Sequence, residues 1–556
     1  MLLALLPFLG LNLISLSASA QVERHELPPI PGVQGEGDGT PPPSAPVYQE
    51  TPQPLPGQLN SQWPGAGAAQ ASPLPLDLWR SLDAETLERL LAGVPLPSPS
   101  PALADLIARS LANTGDGKEV AVRLAGLERA GRVDGELALL SEAVQVNEPG
   151  AAARYAAALL VAGREDEACA IELGTPPARD EANSEAVSAM FLVPAYCAAA
   201  KGDLPGASLA LQLARDRGVQ APVAFAVIDR LSKTSSKPVA ITKSAGVLDA
   251  LFLTLDAKDL PRDLAKAAPV LLFGLANDAE APPELRLAAA ERAASFNIID
   301  GVALASAYRD AAPKLKAANT PPALRAKLFA TLDAAPSAKI RAESIDALLA
   351  SGRDAGIEFP LGQALQPARA RLAQDPEAAP FAETALRSAV LIGDVQGAWA
   401  WIEAGGENLK PWGLLLAVSD PFDSRAEAAL AAGVELAAKG HLPPPLLERL
   451  VTVLDALDYD VPIPLWDKAS KVPQPDDGFL PETGILTQLK EAADRGDVGR
   501  TVLLVATALG PKGPQGAHLI ALGDALRALK RVGLDAEARR IGFEALYARW
   551  PLRGKA

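Results

Sequence analysis

From about Leu76 onward apolar residues return every three or four positions, in blocks broken by Gly, Pro or Asp. That period predicts helices throughout. LDLWRSLDAETLERLLAG places Leu82, Leu87, Leu90 and Leu91 at helical spacing, with Asp83 in position to cap its main helix. PALADLIARSLAN supplies the next helix, and the clearest helix pairs fall within residues 118–230. Residues 244–405 continue in the same manner, as in SAGVLDALFLTL and AKIRAESIDALLASG. After Leu457, YDVPIPLWDKASKVPQPDDGFLPET reads as an irregular connection, either a functional loop or a boundary. Residues 483–549 then predict four more helices, the last of which, LDAEARRIGFEALYARW, suits a capping element with one wetted face.

The breaks between blocks share a pattern. In Lys201-Gly202-Asp203-Leu204 the glycine fits the left-handed position that ends a helix, and Asp203 can cap the next one. Ala207, five residues after the glycine, is small enough for two antiparallel helices to approach. Gly163 is followed in the same way by Ala168, Gly393 by Ala398 and Gly533 by Ala538. Gly131 and Gly496 begin degenerate copies, with Glu136 and Thr501 at the small position. A second echo, Pro282-Pro283-Glu284-Leu285-Arg286, recurs as Pro321-Pro322-Ala323-Leu324-Arg325 at an offset of 39 residues. Proline is favoured in a first helical turn, and Thr320 stands as an N-cap for the second copy.

The glycine turns resemble those between the helices of tetratricopeptide (TPR) repeats. The Trp, Leu-Gly and Tyr positions of that family's first helix are not regularly present, and the spacing is uneven: 32 residues from Gly131 to Gly163, then 39 to Gly202. The resemblance implies an all-α, right-handed superhelical α-solenoid of irregular antiparallel hairpins; the alternative is a helical domain with ordinary glycine C-caps. The expected layout is a main helical-repeat solenoid over 76–457, a connection over 458–482 and C-terminal repeats with a cap over 483–556.

Composition sharpens this. Apolar residues make up 49% of the 556, yet aromatics only 4%, so cores must be built from Ala, Leu and Val. A net charge of −15 argues against nucleic acid and against anionic membrane surfaces, since both need cationic neutralisation. Residues 1–20 read as a signal peptide with Ala18-Ser19-Ala20 before the cleavage point, although no Lys or Arg follows Met1; the rival is an uncleaved anchor. After cleavage no integral membrane insertion is expected. Residues 21–75 are rich in Pro and Gly and read as a disordered linker. Glu36-Gly37-Asp38-Gly39 lacks the ligand spacing of a calcium loop.

Candidate chemistry is sparse. Cys169 and Cys197 fall on consecutive helical segments, and export makes a disulfide the favoured reading over two buried thiols. His25, His441 and His518 are scattered and form no ligand cluster. Trp399, Trp401 and Trp412 either line a partner groove or fill gaps in an alanine-rich stack. Asp455, Asp458 and Asp460 read as a solvated helix end rather than a cation site. GPKGPQGAH lacks the Lys-Ser/Thr of a phosphate loop, and no nucleophile elbow or zinc-protease motif occurs. No catalytic group, cofactor or metal is therefore expected.

The chain is also similar in composition to alanine-rich exported proteins of proteobacteria. Some lytic transglycosylases are similar in carrying a periplasmic alanine-rich helical ring, but their lysozyme-like domain has no counterpart here. The expectation is a soluble periplasmic, non-catalytic scaffold or adaptor that binds protein partners along a helical surface. Alternatives are a cell-envelope or peptidoglycan assembly factor, accessory to a cell-wall enzyme, and a cytosolic scaffold if residues 1–20 are not a signal.

Overall fold

A computed structural model describes residues 71–550, apart from 114–118, 175–184, 236–245, 256–263, 265–266, 279–280, 317–318, 421, 441 and 472–476. The signal-peptide segment, almost all of the linker, His25 and His441 lie outside the described residues. Among the described residues the fold is all-α, with one isolated backbone bridge between Phe479 and Ala517.

The helices run α1 (Ala84–Gly93), α2 (Pro101–Leu111), α3 (Val120–Ala130), α4 (Val133–Gln145), α5 (Ala151–Val161), α6 (Glu165–Ala168), α7 (Glu185–Ala200), α8 (Leu204–Asp216) and α9 (Pro222–Leu231). There follow α10 (Val247–Leu251), α11 (Pro269–Asn277), α12 (Pro283–Ala294), α13 (Gly301–Ala311), α14 (Pro321–Asp333), α15 (Ala338–Asp354), α16 (Glu358–Ala364), α17 (Gln366–Ala373) and α18 (Ala382–Ile392). The last third holds α19 (Val395–Gly405), α20 (Trp412–Ser419), α21 (Ala426–Ala438), α22 (Pro444–Ala456), α23 (Ile463–Ala469), α24 (Thr483–Asp494), α25 (Val498–Leu509), α26 (Leu519–Arg531) and α27 (Asp535–Tyr547).

Neighbours in sequence pack as pairs: α4 with α5, α7 with α8, α11 with α12, α18 with α19, α24 with α25, α26 with α27. Glycine turns at Gly202, Gly393, Gly496 and Gly533 join four of these pairs. Gly131, Gly163, Gly202, Gly393, Gly496 and Gly533 all have φ between 69° and 82°, the left-handed region that costs a side chain most. The aspartates that follow three of them cap the next helix, through Asp203 to Gly206 N–H, Asp394 to Gly397 N–H and Asp497 to Arg500 N–H. A Cβ on Gly206 would lie 2.2 Å from the capping Asp203 Oδ2, so the small residue there makes room for the cap.

The alanines do what their size suggests. Ala207, Ala398 and Ala538 are each fully buried where one helix meets another. An alanine-rich interior has few large side chains to hold register, and buried ion pairs supply it. The repeated Pro-Pro motifs show this. Arg286 donates from Nε to the Ala276 carbonyl at 3.0 Å, while Arg325 donates from Nε to Glu291 at 2.7 Å, and the Tyr308 hydroxyl donates to the same carboxylate at 2.8 Å. Both arginines are buried, so the echo marks core-facing cations as well as helix starts.

Two expectations need correction. The 458–482 stretch is not irregular throughout, because Pro462 and Pro464 open α23: proline disfavours a helix interior but suits its first turn. And α27 has no wetted face. Every position from Ala536 to Tyr547 except Arg539 is buried, and Glu537, Arg540 and Glu544 meet partners inside the fold. Glu537 pairs with Arg109 of α2 at 2.6 Å, and Arg540 with Asp105 at 3.8 Å. Glu544 accepts the Ala102 N–H at 2.7 Å and bonds Ser100, placing a carboxylate at the positive end of α2.

Thus the last helix packs on the second, and α25 packs on both α1 and α2. In an open spiral each repeat touches only its neighbours; here the two ends of the described helices meet. The middle of the chain joins them. The Tyr547 hydroxyl donates to Glu358 of α16 at 2.7 Å, and Arg353 and Arg387 pair with that same carboxylate at 2.7 and 2.6 Å. Trp412 and Trp550 pack about this point, with ring centroids 6.3 Å apart.

Candidate binding groove

Packing α27 against both α22 and α26 fixes the space between those two helices and α23. There the surface opens into a groove of about 360 Å³. Glu448, Val451 and Thr452 line it from α22, Trp466 and Ala469 from α23, and Ile520, Gly523, Asp524 and Arg527 from α26. Gly523 sets the closeness of the walls: a Cβ there would stand 3.4 Å from the Thr452 methyl. Trp466 and Ile520 remain 42% and 53% exposed at the rim, where large apolar side chains are expensive to leave in water.

The charges inside are unequal. Arg527 is engaged by Asp455 at 2.6 Å and by Asp524 at 3.4 Å. His518 caps α26, its Nδ1 accepting the Ile520 N–H at 3.2 Å. Glu448 is 8% exposed, and its Oε2 is buried without a hydrogen-bond partner. Burial alone raises its pKa. A carboxylate so placed costs free energy until something donates to it.

The residues singled out from the sequence fall elsewhere. Cys169, just after α6, and Cys197, within α7, sit at disulfide distance with their Cα atoms 5.7 Å apart. Trp412 is buried against Tyr547 and Trp550, and Trp399 is buried beneath the Arg425 guanidinium at 5.0 Å. Trp401 is half-buried. Together they pack the interior rather than line the groove. Asp455 and Asp458 are spent on Arg527 and Lys530. The glycine-rich 510–518 loop is held from within, since the buried Arg449 donates to the Pro514 and Ala517 carbonyls at 3.1 and 3.0 Å. Among the described residues no group of three or more His, Cys, Asp or Glu is arranged to hold a metal ion, and no helix is long and apolar enough to cross a membrane.

Sequence reasoning missed the groove because its residues are spread from Glu448 to Arg527. The one local signal was Trp466, a large aromatic beside two prolines in a stretch read as a connection. Among the described residues, fold and groove together define an all-helical arrangement of paired helices with an open cleft lined in part by a buried carboxylate. Compared with known proteins, the chain matches no protein-family model, no curated protein and no solved structure.

Proposed function

We propose that the protein is an exported, non-catalytic scaffold that binds protein partners on the surface of its TPR-like helical pairs. The groove between α22, α23 and α26 carries the reading: an open cleft with apolar residues at its rim fits a side chain delivered by another chain. The α8 surface adds Leu209 and Leu213, four residues apart and 58% and 48% exposed. The disulfide-distance cysteine pair fits an oxidising compartment such as the periplasm. The charge of −15 favours protein over nucleic-acid partners.

The test is a photo-crosslinking amino acid placed at 209, 213, 466 or 520 of the full chain in the cell that makes it. The expected result is a discrete adduct with the same protein from neighbouring positions, and a mature N-terminus at Gln21 by mass spectrometry. Absence of adducts at all four positions would overturn the scaffold. Cell-wall hydrolysis that disappears with one carboxylate would replace it with an enzyme.

A further inference from the structure

We infer that the groove between α22, α23 and α26 is a receptor for a basic side chain, lysine or arginine, of a protein partner, with Glu448 as its counter-charge. This deepens the scaffold reading and rests on it. Three observations converge. Glu448 is more than nine-tenths buried, lines the groove, and holds an oxygen with no donor. The cation nearest to hand in the lining, Arg527, already serves two aspartates. The walls are apolar where a long stem would lie, with Val451 and Ile520 on facing helices and Trp466 at the rim.

Lysine and arginine have that build, an aliphatic stem ending in a cation. Seated here, the stem would cover Ile520 and the Trp466 ring, and the head would donate to the orphaned Glu448 oxygen. An arginine would add a planar face for the indole. A neutral or acidic side chain leaves the carboxylate unpaired, and an acidic one adds repulsion from Asp524. The site therefore selects by charge at its floor and by stem length along its wall. A metal ion is a poorer occupant, since no third carboxylate, histidine or thiolate joins Glu448 and Asp524 in a ligand set among the described residues.

The experiment titrates the purified full chain with tetraarginine amide, tetralysine amide and tetraglutamine amide at moderate salt, read by calorimetry and by quenching of tryptophan emission. Glu448→Gln is compared with Glu491→Gln, an exposed control on α24 that removes the same charge. The basic peptides are expected to bind the natural chain and tetraglutamine amide not to. Glu448→Gln is expected to weaken binding at least about tenfold, the usual consequence of removing one member of a buried charged pair. Glu491→Gln should leave it unchanged, and Trp466→Phe should remove the quenching. Gln keeps the shape of Glu and relieves a buried charge, so a melting temperature no lower than that of the natural chain certifies the fold. Equal affinity for Glu448→Gln and Glu491→Gln, or no binding of either basic peptide, would overturn the inference. Adducts captured from cells at positions 209 and 213 would then still stand, which separates this failure from failure of the scaffold.

Discussion

Glu136 offers the sharpest energetic test. It lies in the first turn of α4, where the helix end favours an anion by roughly 0.3–1 kcal/mol. Yet it is 9% exposed, its Oε1 has no hydrogen-bond partner, and burial raises its pKa from 4.5 to about 8. The carboxylates of Glu128 and Glu185 push the same way, and Arg154 only partly opposes them. Desolvation therefore wins over the helix end. A carboxyl whose folded pKa is raised binds a proton that the unfolded chain gives up, so stability falls as pH rises from about 4.5 to about 8. At 1.36 kcal/mol per pH unit the cost is about 1 kcal/mol at pH 5 and about 3 kcal/mol at pH 7. Glu136→Gln keeps the shape of the protonated acid and cannot ionise. It should melt higher than the natural chain by several degrees at pH 7.5, and by less than about 2 °C at pH 5. Thermal melts at the two pH values, followed by circular dichroism, decide it. A variant that melts lower at pH 7.5, or that gains equally at both pH values, would refute the argument that burial dominates.

Other outcomes follow from single contacts. Replacing both Cys169 and Cys197 by alanine should cost about 3–4 kcal/mol for a sequence separation of 28, and reductant should lower the melting temperature of the natural chain but not of the variant. Gly202→Ala meets no atom within 4 Å, so its cost, about 1–2 kcal/mol in denaturant melts, is backbone strain at φ +81° alone. Tyr547→Phe deletes one bond to the Glu358 carboxylate and should cost about 1.5–3 kcal/mol while leaving the helical signal intact.

What the sequence disclosed was local. Gly202 and Asp203 declare a helix end and a helix start within two residues, because the left-handed turn and the cap are properties of the chain at that point. The same holds for Thr320, which accepts the Ala323 N–H as its position suggests. Glu358 and Tyr547 are 189 residues apart, and nothing in either neighbourhood names the other. The charged residues of α27 look like a wetted face until Arg109, Asp105 and Ser100 are seen to meet them. The groove was hidden for the same reason: an unpaired Glu448 is unremarkable until its burial is known. Of the two readings open for the tryptophans, gap filling is the one that the packing favours, with Trp412 against Tyr547 and Trp550 and Trp399 beneath Arg425.

The account depends most on α27, which holds the groove walls and ties the start and middle of the chain to the end. Hydrogen exchange of the natural protein across a urea series below its global transition tests this directly. The structure predicts that α2, α16 and α27 lose protection together, in one cooperative opening with a shared dependence on urea. Exposure of α26 and α27 at low urea, with α2 and α16 still fully protected, would contradict it.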